Sequence, residues 1–281
     1  MQVHPARIKG FLLRTLGVDL RDLVLHRVDV TIPGLHRSLA GLRIAHISDL
    51  HCGPKLPCSH LSRVVALVRT ESPDLVVLTG DFVDDARYAE GCAEKLALLR
   101  PALGSFACLG NHDHLHAPGE LTMLLQSAGI RVLRNEHSLI PLDGVQLCIV
   151  GVDDVGNYGL WVRRVRPGDD LPRALSGSPL SDTFRMLLVH NPDFVTKPVF
   201  ARENTFRPIH LVLAGHLHGG QIRLPIIGTP YVPSRCGARF AGGLVEWMGT
   251  PMHISRGTGS SVPIRFNCPH EVSILTLKPA F

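Results

Sequence analysis

The chain has 281 residues, 45% hydrophobic and 19% charged, so it can bury a core without disulfides and is not a disordered polymer. Lys plus Arg number 29 and Asp plus Glu 24, a net charge of +5 without a run of like charges; with 5% aromatic residues, this suits an anionic substrate or surface and argues against a nucleic-acid partner. No run of about eighteen apolar residues occurs, so no spanning helix is expected.

Residues 1–40 read as an N-terminal extension, an amphipathic stretch over Arg7–Leu16 and then a strand. That stretch fits an interfacial helix or an ordinary surface helix equally well. Short apolar runs at 43–48, 74–79, 105–109, 145–150, 184–189 and 210–214 predict buried strands. Helical spacing predicts helices over 59–70, 87–100, 118–128 and 192–201. This alternation means an α/β fold. Beyond residue 220, Gly- and Pro-rich sequence predicts short strands at 221–224, 238–241, 244–248, 251–255 and 271–277, arranged as antiparallel hairpins closing a second sheet. No linker or repeat interrupts 41–281, which reads as one domain. The seven cysteines include no Cys-x-x-Cys pair and read as isolated thiols in a reducing compartment.

Five polar clusters follow five of the apolar runs: Ser48-Asp49-Leu50-His51, Gly80-Asp81, Gly110-Asn111-His112-Asp113-His114, His190-Asn191-Pro192 and Gly215-His216-Leu217-His218-Gly219-Gly220. Loops at the carboxyl ends of strands in an α/β sheet converge on one crevice, so such clusters meet in space. Singly, most have a plain structural reading, since Asp and Asn favour turns and a lone His is commonly a core or capping residue. His216 and His218, spaced by two between glycines, have little structural reason. If the strands stay extended, Asp49 and His51 point to one side, as do His216 and His218. Oxygen and nitrogen donors without thiolate suit Mn, Fe or Zn in a catalytic site. Asp49, His51, Asp81, Asn111, His190, His216 and His218 are too many for one tetrahedral ion and suit two divalent ions sharing a carboxylate.

In this order, Asp-x-His, Gly-Asp, Gly-Asn-His-Asp, a later His and Gly-His-x-His resemble the motif set of the calcineurin-like metallophosphoesterase superfamily, over about residues 43–277. The segments LLVHNPD (187–193), AGHLHGGQIRLP (214–225) and ISRGTGSSVPIRFNCPHEVSILTL (254–277) are similar to its YaeI/YkuE-type bacterial phosphodiesterases. That group also resembles one class of UDP-2,3-diacylglucosamine pyrophosphatases of lipid A synthesis. The resemblance implies a four-layer α-β-β-α sandwich, two mixed sheets flanked by helices. It implies that Asp49, His51, Asp81 and His218 hold the first metal, that Asp81, Asn111, His190 and His216 hold the second with Asp81 bridging, and that His112 is catalytic and faces the scissile phosphate. Leu217 departs from the Thr of many relatives, and only the Arg7–Leu16 stretch stands where many carry a membrane helix or export signal.

The expected chemistry is metal-dependent hydrolysis of a phosphodiester: a metal-bridging hydroxide attacks phosphorus while His112 protonates or supports the leaving oxygen. Asp113 is a candidate partner for an imidazole N–H, with a turn role equally open. Arg256 is a candidate phosphate contact, a surface ion pair being the rival. His114 and His116 read as a solvated loop and Asp153-Asp154 as a turn. The favoured substrate is a phosphate-ester small molecule met in the cytoplasm. A second reading is a membrane-interfacial pyrophosphatase on a nucleotide-linked lipid at the inner face of the membrane, using residues 1–20 for contact and Ile226, Ile227, Tyr231 and Val232 for acyl chains. A third, a non-catalytic metal-binding scaffold, predicts missing ligands or a replaced His112, and neither is seen. No nucleic-acid partner is expected, and the sequence carries no signal for oligomeric state.

Overall fold

The computed structural model describes residues 23–54, 58–116, 118–153, 168–260 and 264–280. The Arg7–Leu16 stretch and Asp154 lie outside them. The described strands form two six-stranded sheets. The first runs in the order β1 (Leu23–Ile32), β12 (His270–Pro279), β2 (Arg43–Ile47), β3 (Leu75–Thr79), β4 (Ser105–Cys108), β5 (Ile130–Val132). The second runs β10 (Gly243–Trp247), β11 (Thr250–Ile254), β9 (Leu211–Ala214), β8 (Thr183–Leu188), β7 (Val145–Gly151), β6 (Glu136–Leu142). β2 to β5 are mutually parallel, and so are β7, β8, β9 and β11, while β2–β12, β10–β11 and β6–β7 pair antiparallel. Both sheets are therefore mixed, as expected.

The apolar runs are continuous rather than alternating because each central strand is covered on both faces. Within β3, Leu75 and Val77 enter the core between the sheets, and Val76 and Leu78 enter the core under the helices. Helices α1 (Cys58–Glu71), α2 (Ala89–Leu96) and α4 (Pro118–Ser127) cover the first sheet, following the short α3 (Asn111–Leu115) in the case of α4. On the second sheet, α5 (Leu171–Leu175) and α6 (Pro198–Phe206) do the same through Leu171, Ala174, Leu175 and Phe200. Four layers with three apolar interfaces result. His46 of β2 and His253 of β11 also meet inside, Nδ1 to Nδ1 at 2.8 Å, and His46 Nε2 lies 2.9 Å from Thr79 Oγ1.

Three expectations change. The predicted helix 192–201 divides into a 3-10 turn over Pro192–Thr196 and α6, because Lys197 precedes a proline and is extended. Residues 238–240 belong to a 3-10 turn, Gly237–Phe240, which Ala241 caps, and 221–224 makes only isolated bridges, Ile222 to Phe266 and Leu224 to Gly228. The tail is not one antiparallel sheet either. Among the described residues β10–β11 pairs as a hairpin there, whereas β12 returns to the first sheet, where Val272 and Ile274 face the helices and Leu275 and Leu277 the second sheet.

Burial holds His210, stacked on Phe184, and His253 down at about 4. An unfolded chain protonates both near 6.5, so stability present above that value is lost as pH falls from about 6.5 toward 4, on the order of 2–3 kcal/mol per residue. Thermal melts of metal-stripped protein should show Tm falling across that window. His210→Asn keeps an acceptor for the Arg185 amide, now bonded at 2.9 Å to His210 Nδ1, but cannot titrate. It should flatten the fall; an unchanged slope would contradict the assignment.

Candidate metal centre

All five polar clusters emerge at the same end of the sandwich. The first sheet delivers Asp49, His51, Asp81, Asn111 and His112 from the ends of β2, β3 and β4; the second delivers His190, His216 and His218 from β8 and β9. Backbone bonds lace the loops together, Asp49 N to Gly80 O at 2.9 Å, His51 N to Asp81 O at 2.9 Å and Gly215 N to His190 O at 2.9 Å. The extended conformation expected for the paired ligands is not what brings them together. β2 ends at Ile47 and β9 at Ala214, and Asp49, His51, Asp81, His216 and His218 all have positive φ, from 46° to 73°. Left-handed backbone costs a non-glycine residue of order 1 kcal/mol or more, and its concentration here marks a functional site. Gly110 permits a close approach: a side chain there would strike Asp81 and the His190 ring.

Three groups of donor atoms each lie within 4.8 Å of one another: Asp49, His51 and His218; His51, Asp81 and His112; Asp81, His190 and His216. Asp81 Oδ2 is 3.2 Å from His190 Nε2 and 3.5 Å from His51 Nε2. The other nitrogen of each ring is spoken for. His190 Nδ1 lies 2.7 Å from the Thr79 carbonyl and His51 Nδ1 lies 2.7 Å from Asp84 Oδ1, acceptors to which those nitrogens must donate. In neutral rings, the nitrogens facing Asp81 therefore carry lone pairs, and a carboxylate oxygen set against two lone pairs fits a cation between them. Asn111 Oδ1 and His216 Nδ1 complete one side at 3.1 and 3.2 Å from His190 Nε2; on the other, His218 Nε2 is 3.1 Å from His51 Nε2 and 3.5 Å from Asp49 Oδ1. All seven sequence-predicted ligands thus meet. Burial pushes Asp81 up, but His190, His51 and His112 outweigh it and hold the carboxyl well below the usual range. Burial lowers His216 to about 3 and holds His218 well below its usual value, which favours neutral rings, as metal ligation requires.

His112 stands beside the cluster, its ring about a third exposed and its Nδ1 3.0 Å from Asp84 Oδ1. Burial lowers its pKa, but the hydrogen bond to Asp84 and the charges of Asp81 and Asp84 outweigh that, so the net direction is upward. Asp84 thus orients both His51 and His112, a role the sequence reading missed. Its signal was an acid three residues after Asp81, easily taken for a turn. Asp113 touches no imidazole: its carboxylate accepts the Gly110, Asp81 and Phe82 amides, each at 2.8 Å, so its turn role is the one built here. Burial and the Asp81 charge raise it to about 6. Arg256 pairs with the buried Glu271 at 3.2 Å. His114 is buried rather than solvated, 3.6 Å from Asp153, which Arg134 also holds. A further unforeseen residue, Arg265, is 2% exposed and donates to the Arg256, Gly259, Cys268 and Pro269 carbonyls and toward His218 Nδ1 at 3.2 Å, tying those backbone segments to the site.

The calcineurin-like phosphoesterase family model matches residues 42–220. The chain belongs to that family. Phosphodiesterase YaeI of Escherichia coli is 35% identical over 264 residues, 91% of this chain and 88% of that protein. The metallophosphoesterase YkuE of Bacillus subtilis is 31% identical, over 92% of this chain and 88% of its own. A dimetal phosphatase of Danio rerio shares the fold at 12% identity with a TM-score of 0.51, covering 80% of this chain and 90% of that one. Family membership, the α/β sandwich and the shared-carboxylate cluster agree on a metal-dependent hydrolase of phosphoric esters.

If Asp84 orients His112 and His51, Asp84→Asn should lower kcat about 10–100-fold. Without the carboxylate His112 loses its proton more readily, so the alkaline limb of the pH–rate profile should move to lower pH. A full-rate variant with an unshifted limb would remove Asp84 from that role.

Proposed function

We propose that this phosphoesterase hydrolyses phosphodiesters at a centre of two divalent cations, with Asp49, His51, Asp81 and His218 holding one and Asp81, Asn111, His190 and His216 the other. The observation that carries this reading is the single Asp81 oxygen facing imidazole nitrogens from both sheets. The donor set is oxygen and nitrogen only, which favours Mn, Fe or Zn. When bound, such a pair supplies hydroxide near neutral pH and neutralises the phosphate oxygens.

The chain's own groups do the rest. Asn111 contributes a neutral oxygen rather than a second bridging charge, leaving the site attractive to an anionic ester. Asp84 engages His112 Nδ1 and so leaves Nε2 as the atom that carries a proton to the leaving oxygen, with the acidic neighbours shifting His112 toward its protonated form. Asp113 gathers three amides and fixes the turn that presents Asn111 and His112. A small-molecule diester met in a reducing compartment is the simplest substrate, the compartment being consistent with seven cysteines that include no Cys-x-x-Cys pair.

The test is hydrolysis of bis-p-nitrophenyl phosphate after metal stripping and return of Mn, Fe, Zn or Mg. One of these should restore wild-type activity, and Asp81→Ala should lose both activity and bound metal. His112→Ala should keep its metal and lose about 100–10,000-fold in kcat. Wild type that binds metal yet cleaves neither this diester nor a monoester would overturn the reading.

A further inference from the structure

The chain leaves the metal centre through Gly219 and Gly220 into an exposed loop that no part of the mechanism uses. Its base is stitched to the site: Thr229 Oγ1 donates to Gly219 O at 3.3 Å, and Asn267 Nδ2 donates to Arg223 O at 3.2 Å. Its tip is a tight turn closed by Leu224 and Gly228, whose backbones exchange bonds of 2.7 and 2.9 Å. The residues this turn carries outward are apolar. Ile226 is fully exposed, Ile227 is 71% and Tyr231 73% exposed, and Ile222, Leu224 and Ile264 are also exposed. Val232, expected among these, is buried and belongs to the outer core.

Isolated surface isoleucines need no explanation; a cluster on one hairpin does. Ile226 adds a second reason. It sits at φ 68°, the left-handed region where a β-branched side chain is a genuine outlier, so the turn bears strain while it holds this side chain in water. Charge supplies a third. Arg223 and the exposed Arg235 flank the loop, and no acidic residue lies between Glu203 and Glu246. Asp193, which approaches from the neighbouring turn, is engaged by the Ser234 hydroxyl and the Arg235 amide at 2.6 and 2.9 Å. An apolar tip with arginines at its flanks and a tyrosine at its base has the composition of a segment that enters the headgroup region of an anionic bilayer.

We infer that the 222–231 loop docks this phosphoesterase on an anionic lipid surface and so presents the metal centre to phosphodiesters lying in that surface. The second clause rests on the phosphodiesterase reading; the docking itself does not.

The test is co-sedimentation of the full chain with phosphatidylcholine vesicles and with vesicles containing phosphatidylglycerol. Wild type should bind the anionic vesicles, more weakly at high salt. The double variant Ile226→Asp, Ile227→Asp should lose at least about tenfold in vesicle affinity while hydrolysing soluble bis-p-nitrophenyl phosphate at the wild-type rate. Ile227→Trp, which keeps the loop apolar, should bind and have its added fluorescence quenched by brominated lipid. Wild type that ignores both vesicles, a double variant that binds as tightly as wild type, or added indole fluorescence in Ile227→Trp that the brominated lipid leaves untouched would overturn docking. So would a concentration-dependent dimer that the double variant abolishes, since the occupant would then be a second copy. Vesicle binding lost in the double variant, with no diester cleavage by wild type, would support docking and sink the phosphodiesterase reading alone.

Discussion

A carboxylate oxygen that faces two imidazole nitrogens, each already committed through its other nitrogen to an acceptor, sets acceptor against acceptor until positive charge comes between them. Asp81 is in that position, and much of the surrounding structure serves to keep it there. Thr79 and Asp84 fix the two rings. Asp113 fixes the turns that carry Asp81 and Asn111. The rings come from opposite sheets, so the register between sheets is part of the site. Below it, the contact of His46 with His253 joins β2 to β11 across the sheets, a directional contact within largely apolar packing that helps tie that register down.

The backbone pays the corresponding cost. Left-handed Asp49, His51, Asp81, His216 and His218 are stable only because the loops around them are over-determined by hydrogen bonds, as when Gly259 N bonds Asp49 O at 2.6 Å and Thr258 N bonds Ser48 O at 2.9 Å. Strain and unshared lone pairs thus sit on the same residues, and a bound cation relieves the second directly.

Much of this was legible in the sequence, for a physical reason. A buried parallel strand is a continuous apolar run, and the residue after its carboxyl end must sit at the crevice, so Asp49, Asp81, Asn111, His190, His216 and their partners could be placed without coordinates. What stayed hidden depends on geometry that spacing does not encode. Asp84 and Asp113 are both acids in turns; only the fold shows that one faces imidazoles and the other amides. Arg265 lies in a Gly- and Pro-rich tail where an arginine suggests solvent, yet it is buried among carbonyls. Neither the short strand β5 nor the polar-interrupted β6 carries a long apolar run, and nothing local announces that β12 leaves the second sheet for the first.

The position of β12 has a bearing on how the protein is made. β1 is an edge whose paired neighbour is β12, joined residue for residue from Leu23–His270 to Ile32–Pro279, and β12 also separates β1 from β2. During synthesis every loop that forms the metal cluster emerges before the strand that completes the first sheet. A nascent chain therefore carries a full set of metal donors and an open sheet edge at the same time, a state prone to mispairing. Early capture of a cation could organise that half-built sandwich, or trap it with the wrong strand in the gap, so the timing of metal supply relative to translation bears on the yield of native protein.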